Sequence, residues 1–188
     1  MLSRGERRML LNYQECIHQY GSDYGIRKAI ANGNLYKIKK GIYSDQKYVS
    51  DLEVFTVQHP KAVFTMNSAF YYHGLTDTIP DCYYVKTTRG TAQIVDDNVR
   101  QIFENSGEFD AGKEEMLYDG IKINIYNKER CFIELVRNRS KLPYDYYKEL
   151  IHSYRNIIHQ LDIQAIEEYA YALPKTNMVL EALQTEVM

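Results

Sequence analysis

The chain has 188 residues, 45% of them hydrophobic and 26% charged, with a formal net charge of -2. That length suits one good-sized domain or two small ones, and the balance excludes disordered, collagen-like and fibrous classes. No run approaches the roughly 20 apolar residues of a membrane helix. The opening "MLSRGERRML" has no apolar segment behind its charges, so no membrane association and a cytoplasmic location are expected.

Charge is spread unevenly. Of the 23 basic and 25 acidic residues, residues 1–50 hold nine and four, a surplus of five positive charges on the head of an otherwise acidic chain. Such a split is typical of a nucleic-acid-binding module joined to another domain.

In chain order, Tyr13, Cys16, Ile17 and Tyr20 keep the spacing of an amphipathic helix that ends at Gly21. Ser22 or Asp23 caps a second helix through Asn32. It has Ile26, Ala29, Ile30 and Gly33 on one face and Tyr24, Arg27, Lys28 and Ala31 on the other. Two short helices joined by a tight glycine turn form a helix-turn-helix candidate. The segment "LYKI" (35–38) then alternates as a strand, Lys39-Lys40-Gly41 makes a turn, and Ile42-Tyr43 returns. Lys37 and Lys39 are expected on one side of this ribbon and Lys40 at its tip. A basic hairpin directly after a basic helix is the layout of a winged helix-turn-helix. Its helix enters the major groove and its wing reaches the flanking backbone of double-stranded DNA.

Beyond a connecting helix at 46–59, residues 62–66 read as a buried strand, 67–75 as a helix, 82–87 and 121–127 as strands. The remainder is helical: a central helix at 129–139, an amphipathic helix carrying Tyr147, Leu150, Ile151, Tyr154, Ile157, Ile158 and Leu161, and short helices at 163–173 and 176–187 separated by Pro174. The expected fold class is therefore α+β: an N-terminal winged helix-turn-helix (1–48), then a mixed α/β C-terminal domain (60–188) ending in a helical bundle.

Three segments, in order, resemble the AbiEi-type antitoxins and transcriptional regulators of bacterial abortive-infection systems. They are "GNLYKIKKGIY" (33–43), "AVFTMNSAFYYHGLTDTIPDCYYV" (62–85) and "IYNKERCFIELVRNRSKLPYDYYKELIHSYRN" (125–156). The resemblance implies a DNA-binding N-terminal domain and a C-terminal domain needed for antitoxin function. It further implies repression of the protein's own operon and functional pairing with a nucleotidyltransferase-like toxin. Such pairs are called type IV because protection does not require direct contact between the two proteins. Carried over by position, the recognition helix falls on 22–32, the wing on 35–43, and an abbreviated first helix on Arg4 to Leu10.

Catalytic patterns fit poorly, so a non-enzyme is expected. After Pro80-Asp81 no acid-x-lysine pair stands on a strand; Asp119-Gly120-Ile121-Lys122 has one residue too many, and Glu114-Glu115 and Asp96-Asp97 lie in polar, solvated stretches. Ser68 and His73 lack a G-x-S-x-G elbow and read as a capping serine and a packed histidine. No G-x-x-x-x-G-K-[ST] occurs. Cys16, Cys82 and Cys131 are few and far apart, and His18 beside Cys16 has no second pair to join, so no metal site and no other cofactor are expected.

The sequence thus predicts a DNA-binding regulator. Tyr24, Arg27 and Lys28 would face the major groove, Ser22 a phosphate, and Lys37, Lys39 and Lys40 the flanking backbone. A homodimer or cooperative binding to repeated sites in its own promoter is expected. The alternative is a non-catalytic module whose winged head binds a protein partner. A second basic set, Arg137, Arg139, Lys141, Lys148 and Arg155, reads either as a solvated helical face or as another contact surface. Arg130 and Glu134, four apart on the central helix, are expected to form a structural ion pair.

Overall fold

The computed structural model describes residues 10–188. The chain divides into two compact units, Met1–Pro60 and Lys61–Met188. The fold is mixed α+β with two separate sheets. Among the described residues, no helix is long and apolar enough to cross a membrane.

In the first unit, strand β1 (Leu10–Asn12) leads directly into helix α1 (Tyr13–Tyr20). Asn12 caps α1 reciprocally: its side chain accepts from Glu15 N at 3.0 Å, and its own N–H donates to the Glu15 carboxylate at 2.7 Å. Helix α1 stops at Gly21, whose φ of 77° suits the left-handed cap and whose N–H reaches Ile17 O at 2.8 Å. Ser22 then caps helix α2 (Asp23–Ala31) by accepting from Gly25 N at 3.2 Å. Gly25 permits the tight approach of α1 to α2, since a Cβ there would lie 2.1 Å from Tyr20 O, a backbone atom.

Strands β2 (Tyr36–Lys39) and β3 (Ile42–Ser44) form an antiparallel hairpin with a register shift between Lys37 and Lys39. Strand β1 pairs with the far side of β3, giving the order β1-β3-β2. Cys16, Ile26, Ala29, Leu35 and Tyr43 form the core of this unit, with Leu11, Ile17 and Tyr20 packed against it. Leu35 is completely buried and so contributes about 1.5–3 kcal/mol. Helix α3 (Asp51–Gln58), capped by Ser50, closes the unit.

The expected first helix at Arg4 to Leu10 lies outside the described residues apart from Leu10, which belongs to β1. Helix α2 ends at Ala31, so Gly33, with φ 73°, lies beyond it rather than on its apolar face. The connecting helix expected at 46–59 occupies only Asp51–Gln58.

The second unit holds a five-stranded mixed sheet. Its strands are β4 (Val63–Phe64), β5 (Tyr83–Thr88), β6 (Val99–Glu104), β7 (Lys113–Tyr118) and β8 (Ile121–Tyr126), in the order β6-β5-β4-β8-β7. Central β4 runs antiparallel to β5 and parallel to β8; β5 and β6 are parallel. β7 and β8 form a hairpin turned by Asp119 and Gly120. Helix α4 (Met66–Tyr72) follows β4, and the single turn α5 (Ser106–Phe109) follows β6. Helix α6 (Lys128–Arg137) is buried continuously from Arg130 to Val136, the charged Arg130 and Glu134 included. Helices α7 (Tyr144–Ile157), α8 (Ile163–Ala172) and α9 (Thr176–Ala182) follow, with a wider final turn at Leu183–Val187.

The polar interval between 88 and 121 therefore conceals two strands, β6 and β7. The predicted strand at 62–66 shrinks to two residues. Ser68 is not a helix cap: Thr65 holds that position, while Ser68 Oγ accepts from Tyr84 N at 2.9 Å and ties α4 to β5. His73 donates through Nε2 to Tyr126 O at 2.7 Å, so serine and histidine are engaged by different strands. Of Asp119-Gly120-Ile121-Lys122, the acid sits on the hairpin turn and the lysine on strand β8, where Lys122 pairs instead with Glu115 at 2.6 Å on an exposed face.

Candidate nucleic-acid interface

Helix α2 turns Ile26 and Ala29 inward and leaves Tyr24, Arg27, Lys28 and Ala31 exposed, as 3.6-residue periodicity predicts, but Ile30, expected on the inward face, is exposed as well. Tyr24 is 76% exposed. Ser22 is exposed at the N-terminus of α2; its oxygen accepts from Gly25, and its hydroxyl proton remains free to donate. Asp23, the one acid in that first turn, accepts from Tyr13 Oη at 2.9 Å, a bond that raises the Tyr13 phenol above its ordinary pKa.

The hairpin presents further exposed cations. Exposure alternates along β2, with Lys37 and Lys39 outward and Tyr36 and Ile38 half-buried, despite the register shift. Lys40 is exposed in the turn beside Gly41. Arg27, Lys28, Lys37, Lys39 and Lys40 have no ion-pair partner among the described residues. Beneath them, burial raises the Cys16 thiol pKa and keeps this core residue uncharged.

Two residues of this face escaped the sequence reading as site residues. Lys47 and Tyr48 follow the hairpin, with Lys47 Nζ 5.6 Å from the centre of the Tyr48 ring and Tyr48 83% exposed. Together with Lys37 they border an open groove of about 500 Å³ between the end of α2 and β2. An aromatic beside a lysine in a short non-helical segment was the available signal; it carried no periodicity to mark it.

The five cations of the second basic set do not form one face. Arg139 lies 3.8 Å from Glu186, and Arg155 donates to the backbone of Glu186; both hold the C-terminal turn. Lys148 stacks over Tyr144, 4.5 Å from the ring centre. Only Arg137 and Lys141 share a cleft, on the side of α6 that faces β5 and β6.

That side of α6 carries a buried ion network larger than the expected Arg130–Glu134 pair. Lys86 on β5 pairs with Ile102 on β6, so Glu104, two residues on, lies on the same face as Lys86. Lys86 Nζ meets Glu104 at 2.6 Å and Glu134 at 2.8 Å; Arg130 meets the same carboxylates at 3.1 and 3.0 Å. Arg137 adds a third cation to Glu134 at 3.3 Å. Burial alone would push the Glu104 and Glu134 carboxyls up, but the surrounding cations outweigh it and hold both below the ordinary value.

No protein-family model and no curated protein matches the chain. Among solved structures, the chain is similar to the crystal structure of the RV2827C protein from Mycobacterium tuberculosis, with a TM-score of 0.59 and 14% sequence identity. The likeness covers 95% of this chain and 78% of that one, and at this identity it speaks for the fold alone.

Proposed function

We propose that the protein is a DNA-binding transcriptional regulator, the autorepressing antitoxin of a type IV abortive-infection toxin–antitoxin pair. Its N-terminal unit acts as a winged helix-turn-helix. Helix α2 enters the major groove with Tyr24, Arg27 and Lys28, Ser22 donates to a phosphate at the helix N-terminus, and Lys37, Lys39 and Lys40 follow the flanking backbone. The observation that carries this reading is five exposed cations without ion-pair partners among the described residues, on a helix and the hairpin that follows it. Lys47 and Tyr48, beside Lys37 at the groove, extend the contact along the backbone.

The antitoxin role rests on the resemblance of the three ordered segments, and the partner implied is a nucleotidyltransferase-like toxin that need not touch this protein. Binding as a homodimer, or cooperatively to repeated sites in the promoter, supplies affinity that a single small module lacks.

A gel-shift titration tests the regulator directly, using DNA upstream of the protein's own gene, random DNA as competitor, and two salt concentrations. Preferential binding upstream that weakens with salt is the expected result. Absence of binding at low salt overturns the proposal and leaves the head as a protein-interaction module.

A further inference from the structure

The cleft between α6 and strands β5 and β6 has a volume of about 590 Å³, within the range of small-molecule sites. Five cations line it: Lys86, Arg100, Arg137, Lys141 and Lys175. The acids on it, Glu104 and Glu134, are already committed to Lys86, Arg130 and Arg137. Arg100, Lys141 and Lys175 have no ion-pair partner among the described residues. Arg100 lies over the Tyr84 ring at 5.5 Å, and Lys175 Nζ donates to Arg137 O at 2.8 Å. The cleft thus carries a positive surplus against a buried, weakly screening floor.

The floor is also unfinished. Asn67, which lines the cleft, has a side-chain oxygen buried with no hydrogen-bond partner, and so has Thr65 two residues before it. Between them Met66 adopts a φ of 47°, and Lys175 across the cleft adopts 70°. Among the described residues, three non-glycine residues have positive φ, and two of them stand on this cleft. Strained backbone beside buried, unsatisfied polar groups is costly and collects where a ligand is held. Tyr84, Ile102, Phe103 and Leu142 supply flat and apolar wall beside the charges.

We infer that this cleft binds a phosphorylated small molecule of nucleotide size, its phosphate among Arg100, Arg137, Lys141 and Lys175 and its apolar part against Phe103 and Ile102. A phosphate dianion fits the surplus of positive charge, and Arg and Lys together are its usual donors. The Asn67 amide, turned either way, offers the ligand a donor or an acceptor.

The test is calorimetric titration of the full-length protein with adenosine 5′-monophosphate and, separately, with adenosine and inorganic pyrophosphate. The expected result is saturable one-to-one binding of adenosine monophosphate that weakens with salt, while adenosine alone binds far more weakly. The double variant Arg100→Ala/Lys141→Ala should lose about tenfold or more in affinity, as each lost charged contact predicts. Lys148→Ala, off the cleft, and the triple variant Lys37→Ala/Lys39→Ala/Lys40→Ala should bind as the parent does. No binding of adenosine monophosphate or pyrophosphate at millimolar concentration overturns the inference. So does an equal loss in the Lys148 or hairpin variant, which would mean diffuse charge attraction. Because the hairpin variant is the one expected to fail on DNA, failure of the two readings is distinguishable.

Discussion

Replacing Glu134 by Gln should damage the second unit more than replacing Lys86 by Met, although both remove one charge from the same buried network. Three cations and two carboxylates meet there, with Lys86, Arg130 and Arg137 all within 3.3 Å of one Glu134 oxygen. The glutamate side chain is 3% exposed and that of Arg130 0%. Glu134→Gln leaves three cations facing Glu104 alone, so positive charge stays buried without compensation. Breaking a buried pair in this way costs about 3–5 kcal/mol. Lys86→Met instead leaves two cations and two carboxylates, with Arg130 still bridging both acids. Its cost is the lost hydrogen bonds, about 1–3 kcal/mol. Arg137, partly exposed, is hydrated on one side and softens the imbalance without removing it. Urea unfolding followed by circular dichroism measures both variants. Amide exchange across α6 assigns the transition, because a chain of two units need not unfold in one step. A Lys86→Met variant as destabilised as Glu134→Gln would refute the charge-balance reasoning.

The same network sets an acid limit. Burial alone would push the Glu104 and Glu134 carboxyls up, yet the Lys86 and Arg130 charges hold them below the ordinary 4.5. Their stabilisation is therefore fully present above about pH 4.5 and is lost as pH falls through the folded-state values; unfolding curves at stepped pH should show this, with a shallower fall in Glu134→Gln. Gly25→Ala should destabilise the first unit by about 1–3 kcal/mol, although alanine at an ordinary helical position would stabilise by about 0.5–1 kcal/mol; thermal unfolding gives the sign, and a stabilised variant would contradict the close contact with Tyr20. Removing Lys37, Lys39 and Lys40 together should weaken binding to all DNA alike. The log–log salt slope should flatten by about 0.9 for each lost phosphate contact, so an unchanged slope would remove the hairpin from the interface. Arg27→Ala should relax sequence preference by about 1–3 kcal/mol at one base pair, read as the ratio of operator to random-DNA affinity; equal losses on both would deny it a base contact.

The sequence by itself determined the elements that announce themselves locally. Gly21 and Ser22 end one helix and begin the next within two residues, and both caps form as their chemistry requires. The exposed face of α2 and the turn at Lys40 and Gly41 followed from periodicity and turn preference. The central position of α6 followed from its apolar residues Cys131, Phe132, Ile133, Leu135 and Val136, whereas the burial of its charged Arg130 and Glu134 did not. Strands β6 and β7 did not announce themselves, because they are the outer strands of the sheet. An outer strand exposes charged residues such as Glu114, Glu115 and Arg100, and that breaks the hydrophobic alternation by which strands are recognised. Strand β1 was equally hidden, since three residues become a strand only through their pairing with β3. The tertiary structure alone decided how the charges combine. Lys86, Glu104 and Glu134 stand far apart in the chain, and only the parallel register of β5 on β6, with α6 packed across it, brings them within hydrogen-bonding distance. For the same reason, five cations that look like one basic stretch from Arg137 to Arg155 separate into a cleft, a C-terminal turn and an aromatic stack. Neighbours along the chain follow from short-range geometry, whereas partners across a sheet depend on a register that spacing alone does not encode.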